Sequence, residues 1–194
     1  MRTDFLKNVE NHTINVIIDN GINRHIEFSN NGSYHYKFGL VTWAGYLCVY
    51  GDMGEWVFAR TDDMFQFFNV EKPNYRYWSE KLQATYIRGG HEEFDFEKFK
   101  SEVMLFIDQM DLSDEKKQEI KDDVLWDFKW KIDEKDVVCF NYIHDYDFEG
   151  KSVFKNFFDD APSFRKYTYH YLWICEALVW AIKQYKEHKL KQAA

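Results

Sequence analysis

Apolar positions recur every second residue through the first part of the chain and at helical spacing through the rest. The densest strand-forming run is 34–68, YHYKFGLVTWAGYLCVYGDMGEWVFARTDDMFQFF. Tyr34–Thr42 and Tyr46–Tyr50 are rich in aromatic and β-branched residues, with Ala44 and Gly45 as the turn between two antiparallel strands. Gly51–Gly54 is a short connection with glycine at both ends, and Glu55–Arg60 returns as a third strand. Alternation puts Trp56 and Phe58 on one face and Glu55, Val57 and Ala59 on the other. Thr61, followed by Asp62 and Asp63, is expected to cap a short helix that packs through Met64, Phe65, Phe67 and Phe68. Arg24–Ser29 reads as a strand that turns through residues 30–33 into the 34–42 strand, completing a four-stranded antiparallel meander.

Residues 3–19 carry both periods. TINVIID is strand-like, whereas Leu6, Val9, Thr13, Val16 and Ile17 fall at i, i+3, i+7, i+10 and i+11, and Asn20-Gly21 supplies a left-handed stop. The expectation is a helix. A second helix is expected over 75–86 from the spacing of Tyr75, Trp78, Leu82 and Tyr86, with a boundary at Arg88–His91. Beyond it, 95–111 (Phe96, Phe99, Val103, Phe106, Met110) and 113–131 (Ile120, Val124, Leu125, Phe128) form a helical hairpin. The stretch 133–161 stays open beyond a short helix or strand near 136–143. A long last helix runs from a Ser163 cap to about His188 along the seam Phe164, Tyr167, Tyr171, Ile174, Leu178, Ile182, Tyr185. The fold class is α+β: an N-terminal helix and a four-stranded antiparallel sheet in residues 1–90, then an acidic helical half, 91–194, closed by the long helix.

The string T-W-x-G-Y-L-C-x-x-G-D-M-G-x-x-V-F-x-R-x-x-D-M-F-x-F-F, filled by Thr42–Phe68 and preceded by Arg24-His25-Ile26-Glu27-Phe28, resembles the signature of a family of small proteins encoded in bacteriophage and prophage genomes. Ala44 stands where that signature carries proline. The resemblance covers roughly the first 90 residues. It implies a genomic setting and brings no mechanism with it.

Composition narrows the chemistry. Aromatic residues make up 20% of the chain and there are two prolines, which indicates a folded protein with a large core. Cys48, Cys139 and Cys175 are far apart and lack CxxC spacing, so they read as buried thiols in a reducing compartment. With no run of about 18 apolar residues and no apolar signal-peptide core, the expected location is the cytoplasm and no membrane is engaged.

His144-Asp145-Tyr146-Asp147 and His91-Glu92-Glu93 have ligand-type side chains without metal-site spacing, and no metal or cofactor is expected. Asp52, Asp62, Asp63, His25 and His35 are the groups available for acid–base work. Turn chemistry accounts for Asp52 and helix capping for Asp62 and Asp63, so an enzyme built on these three carboxylates is the third-ranked reading.

The net charge of −8 argues against direct nucleic-acid binding. That charge is segregated: residues 91–160 hold 21 Asp/Glu and 10 Lys/Arg, whereas residues 1–90 hold 10 and 9. Glu115, Glu119, Asp122 and Asp123 on the 113–131 helix therefore lead the candidate partner-binding residues, with Trp43, Tyr46 and Asp52 in the sheet half. Together with the resemblance, this predicts a non-catalytic inhibitor of host defence or nucleic-acid-handling machinery, anti-CRISPR-like, whose partner is a basic protein complex. The runner-up is an accessory phage protein that self-assembles, for example as a homodimer, through aromatic surface.

Overall fold

The computed structural model describes residues 1–131, 133 and 135–193. Among them the chain forms two compact units, Met1–Glu92 with Tyr167–Ala194, and Glu93–Lys166. The sequence-based division at residue 90 assigned the last helix to the acidic half. It belongs with the sheet instead, because its aromatic side chains share the sheet's core.

In the first unit, α1 (Arg2–Asn8) precedes β1 (Thr13–Asn20), β2 (Asn23–Ser29), β3 (Phe38–Trp43), β4 (Tyr46–Gly51) and β5 (Trp56–Ala59). Then come α2 (Met64–Phe67), α3 (Tyr75–Ser79) and β6 (Leu82–Ala84). The six strands make one antiparallel sheet in sequence order, two more strands than the expected four. Both additions replace expected helix. Past Asn8 the chain follows the alternation of TINVIID, placing Ile14 opposite Phe28 and Val16 opposite Ile26. Pairing with the edge of β2, which leaves Ile14 and Val16 half-buried on the inner face, outweighs the helical spacing. The expected 75–86 helix stops at Ser79, whose hydroxyl donates to the Arg76 carbonyl, and residues 82–84 then pair with the free edge of β5. The expected 34–42 strand begins only at Phe38, since Tyr36 sits at φ 54 and breaks the extended run.

Cross-strand rows fix the core. Ile26, Leu40, Val49 and Trp56 align, as do Thr42, Leu47 and Phe58, and all seven are buried. Trp56 and Phe58 thus share the inward face, as alternation predicts. The last helix covers that face: Phe38 meets Trp173 (ring centroids 5.5 Å apart), Phe28 meets Trp180 (5.2 Å) and Trp56 meets Tyr171 (5.8 Å), while Phe5 of α1 wedges against Trp173 (5.0 Å). Gly54 has φ +85, and a Cβ there would collide with the Tyr86 ring. Gly54→Val is accordingly expected to lose about 1–3 kcal/mol from backbone strain alone, whereas Asp52→Asn should leave the thermal melt within about 1 °C; differential scanning calorimetry of both variants checks this.

The second unit begins in β7 (Glu92–Phe94) and continues through α4 (Phe96–Gln109), α5 (Asp114–Trp130), α6 (Asp136–Asp145) and the hairpin β8 (Asp147–Phe148) and β9 (Lys151–Ser152). The chain leaves it in β10 (Arg165–Tyr167) and enters the closing helix α7 (Tyr169–Ala193). The open region near 136–143 is therefore helix α6; Glu134, inside the 133–161 stretch, lies outside the described residues. Phe99, Val103, Ile107, Ile120, Val124, Phe128, Ile143 and Phe157 build a separate core. Leu125, expected in it, is exposed. The cap of α7 is Thr168, whose hydroxyl accepts the Tyr171 N–H, and not Ser163; Phe164 belongs to the second core. Cys139 and Cys175 are buried and Cys48 is half-buried. No helix among the described residues is long and apolar enough to cross a membrane.

Candidate functional site

Helix α5 starts at Ser113, whose hydroxyl accepts the Lys116 N–H, with Asp114 and Glu115 at the positive end of the helix. Hydrogen bonding to its own backbone N–H and then to the Ser113 hydroxyl holds the Glu115 carboxyl below its ordinary pKa. Ile120, Val124 and Phe128, four residues apart, are buried. At about 100° per residue, Glu115, Glu119, Asp122 and Trp126 occupy the opposite face at i, i+4, i+7 and i+11, and Trp130 continues it one turn on. Three of the four predicted acidic residues are thus aligned on one outward stripe.

That stripe ends in two indoles. Trp126 and Trp130 are 59% and 62% exposed, their ring centroids 5.9 Å apart, and Lys129 Nζ stands 4.8 Å from the Trp130 centroid. The sequence reading overlooked both. The signal is present, since Trp126 and Trp130 fall seven and eleven residues after Glu119, but a seam that takes Leu125 as inward leaves the face beside it unassigned.

Lys116 and Lys121 of α5 point elsewhere: Lys116 pairs with Glu149 (2.6 Å) and Lys121 with Asp108. Asp122 accepts the Gln118 amide at 2.8 Å. Asp123 stands apart, because its Oδ2 accepts the Tyr146 hydroxyl at 2.8 Å. Burial, with Asp123 close by, pushes the Tyr146 phenol up, so the hydroxyl remains a donor. Asp123 is committed to joining α5 to α6 and contributes less to the open stripe than its three neighbours.

The other predicted residues lie in the first unit. Trp43 and Tyr46 flank the Gly45 turn as a parallel stack, 5.4 Å between centroids and 9° between planes, and both are exposed. Asp52 is at the far end of the same hairpin, six residues along β4 from Tyr46 and hence about 20 Å away, where its carboxylate accepts the Tyr36 N–H at 2.8 Å. Trp43 and Tyr46 come together and Asp52 does not join them.

Between them, on the outer sheet face, the Tyr50 hydroxyl donates to Glu27 (2.8 Å), His25 Nε2 lies 2.6 Å from the same oxygen, and Lys37 pairs with Glu27 at 3.1 Å. The Tyr50 ring lies over Gly39, where a Cβ would overlap it. Burial, then the Glu27 carboxylate, raise the Tyr50 phenol, which suits a fixed structural donor. His35 is exposed beside the Tyr36 ring.

Asp62 is exposed, whereas Asp63 accepts the Phe65 N–H as the cap of α2 and holds Arg24 by two hydrogen bonds of 2.8 and 3.1 Å. Asp52, Asp62 and Asp63 therefore do not converge on one cavity. Among the described residues no three His, Cys, Asp or Glu side chains converge as a bound cation requires. Comparison with protein-family models, curated proteins and solved structures gave no match.

Proposed function

We propose that the protein acts without catalysis, by docking the outward face of α5 on a basic protein surface. The observation that carries this reading is the continuity of Glu115, Glu119 and Asp122 with Trp126 and Trp130 on a face that none of the core residues occupies. The two halves of the stripe do different work. Carboxylates steer a cationic partner into register over roughly 10 Å at 0.1 M salt. Indoles supply apolar area and a π-face for partner Arg or Lys, and tryptophans in such positions are frequent hot spots worth about 2 kcal/mol or more each. The resemblance of Thr42–Phe68 to phage-encoded proteins directs the search to host nucleic-acid-handling and defence complexes, with CRISPR effectors first, because their nucleic-acid channels are lined with Lys and Arg.

Binding of the purified protein to such an effector is measured by surface plasmon resonance. Glu115→Lys, Glu119→Lys and Asp122→Lys together are expected to abolish it with an unchanged circular dichroism spectrum, and Trp126→Ala to weaken it about thirtyfold. Asp123 is left intact because it also holds Tyr146. Affinity of the parent should fall steeply between 0.1 and 1 M salt, where the screening length drops to about 3 Å. Retained binding by the triple reversal at both salt concentrations overturns the reading.

The exposed Trp43–Tyr46 stack favours a second reading, self-assembly through the sheet face. That reading predicts a concentration-dependent dimer by light scattering that Trp43→Ala dissociates.

A further inference from the structure

The first unit also contains a cleft of about 810 Å³ that neither the α5 face nor the sheet surface uses. Such a volume is in the range of small-molecule sites. Its long wall is one face of α7: Glu176, Val179, Trp180 and Lys183 follow at i, i+3, i+4 and i+7, with Lys186 just beyond. Phe5 of α1 and Val70, in the loop after α2, give it apolar sides, and Lys72 of that loop stands at its lip.

Glu176 is the unusual member. It is 5% exposed, set between Cys175 and Ala177 in the core of the helix, where an ionised carboxylate needs partners. Oε1 accepts the Tyr75 hydroxyl at 2.8 Å, and Tyr75 is itself held by the Tyr171 hydroxyl, which donates to its carbonyl at 2.6 Å. Oε2 receives no hydrogen bond among the described residues and lies 3.8 Å from Arg2 Nη1, which is engaged with the Glu71 carbonyl at 3.1 Å. A buried carboxylate that lines the cleft is thus oriented through Oε1, with acceptor capacity left on Oε2. Lys72 and Lys186 have no ion-pair partner within 4 Å among the described residues, and Lys183 only touches that limit with Glu187.

Along α7 the seven residues from Glu176 to Lys183 span about 10 Å, with an acceptor at one end, an indole between and a cation at the other. We infer that the cleft binds a nucleoside monophosphate, the pairing edge of its base on Glu176, the base against the apolar wall at Trp180 and Val179, and its phosphate among Lys183, Lys186 and Lys72. A fatty carboxylate would set hydrocarbon against Glu176 and leave a buried acceptor unmatched. Free phosphate would use the lysines alone. Guanine suits the carboxylate best, because it presents two adjacent N–H donors, whereas uracil presents one N–H flanked by carbonyls that a carboxylate repels. This inference is independent of the α5 face, which belongs to the other unit.

Isothermal titration of the full chain with GMP, UMP and inorganic phosphate tests it. GMP is expected to bind, with UMP and phosphate each at least about tenfold weaker. Glu176→Gln keeps an acceptor for Tyr75 but loses the charge, and should weaken GMP by about tenfold or more. Since that position is buried, the deciding variant is Lys183→Ala/Lys186→Ala on the exposed side of α7, which should weaken GMP about tenfold at low salt and leave the thermal melt unchanged. Absence of GMP binding up to about 1 mM, equal affinity for phosphate, or GMP binding unaffected by the double lysine variant each overturns the proposal.

Discussion

Trp56→Ala is expected to lower the stability of the first unit by about 3–5 kcal/mol. The side chain is fully buried in the row Ile26, Leu40, Val49, Trp56, its Nε1 donates to the Met53 carbonyl at 2.9 Å, and its ring faces Tyr171 of α7. Truncation removes the largest apolar surface in that row and leaves the Met53 carbonyl without its donor, so a cavity and an unsatisfied acceptor arise together. Trp56→Phe should recover part of the loss, since most of the volume returns and the hydrogen bond does not. Trp43→Ala provides the comparison two strands away. That indole is exposed and stacks on Tyr46, so its removal should cost about what the stacking supplies, about 0.5–1.5 kcal/mol. Urea melts followed by tyrosine and tryptophan fluorescence separate these values. A parent-like Trp56→Ala midpoint would show that the inward face of β5 is not core.

What the sequence made legible follows the range of the interactions involved. The β3–β4–β5 hairpins are local, with turn glycines and alternation agreeing over a few residues, and Trp56 and Phe58 are inward as expected. Segments whose state depends on distant partners were misread. Residues 13–20 satisfy a helical spacing and a strand alternation equally well, and the open edge of β2 decides between them. Leu82 fits a helix seam until β5 offers it an edge. Charge behaved the same way. The run of acids around 115–123 was plain in composition, but which carboxylates stay open and which are spent on tyrosines, as Asp123 is on Tyr146, depends on where α6 packs. Trp126 and Trp130 were missed for a related reason, because a large apolar side chain in a helical pattern is core by default. Glu176 was invisible too, as nothing near it in sequence announces that Tyr75, 101 residues away, will orient its carboxylate.

Asp62 and Asp63 are indistinguishable in the sequence, and their neutralisation should separate them by several kcal/mol. Asp62 is exposed, so Asp62→Asn is expected to stay within about 0.5 kcal/mol of the parent. Asp63 faces Arg24, and the two side chains are only 18% and 12% exposed. The guanidinium is covered by the Phe65 ring, 4.7 Å from its centroid, and its Nε is already buried without a partner. Removing the carboxylate charge leaves that cation with only the more distant Asp19 carboxylate to offset it, at a cost of about 3–5 kcal/mol. Asparagine still accepts the Phe65 N–H as a helix cap, so the loss in Asp63→Asn reports the ion pair rather than the cap. The pair also has a pH signature. Burial pushes the Asp63 carboxyl up, but hydrogen bonds from Arg24 and the α2 backbone outweigh it, and the folded pKa lies below the ordinary value. A carboxylate depressed on folding contributes stability that is complete above its unfolded pKa, about 3.9, and is lost as pH falls through its folded pKa. Urea midpoints of the parent should therefore fall between pH 5 and the strongly acidic range by more than those of Asp63→Asn, while Asp62→Asn tracks the parent throughout. Because Asp19 and Glu27 are depressed as well and also lose their contribution as pH falls, the difference between parent and variant, not the parent's slope, is the quantity that isolates Asp63. Pairing Asp63→Ala with Arg24→Met should restore much of the stability, since an apolar pair leaves no charge buried alone; if the double variant is no better than Asp63→Ala, the ion pair is not what Asp63 supplies.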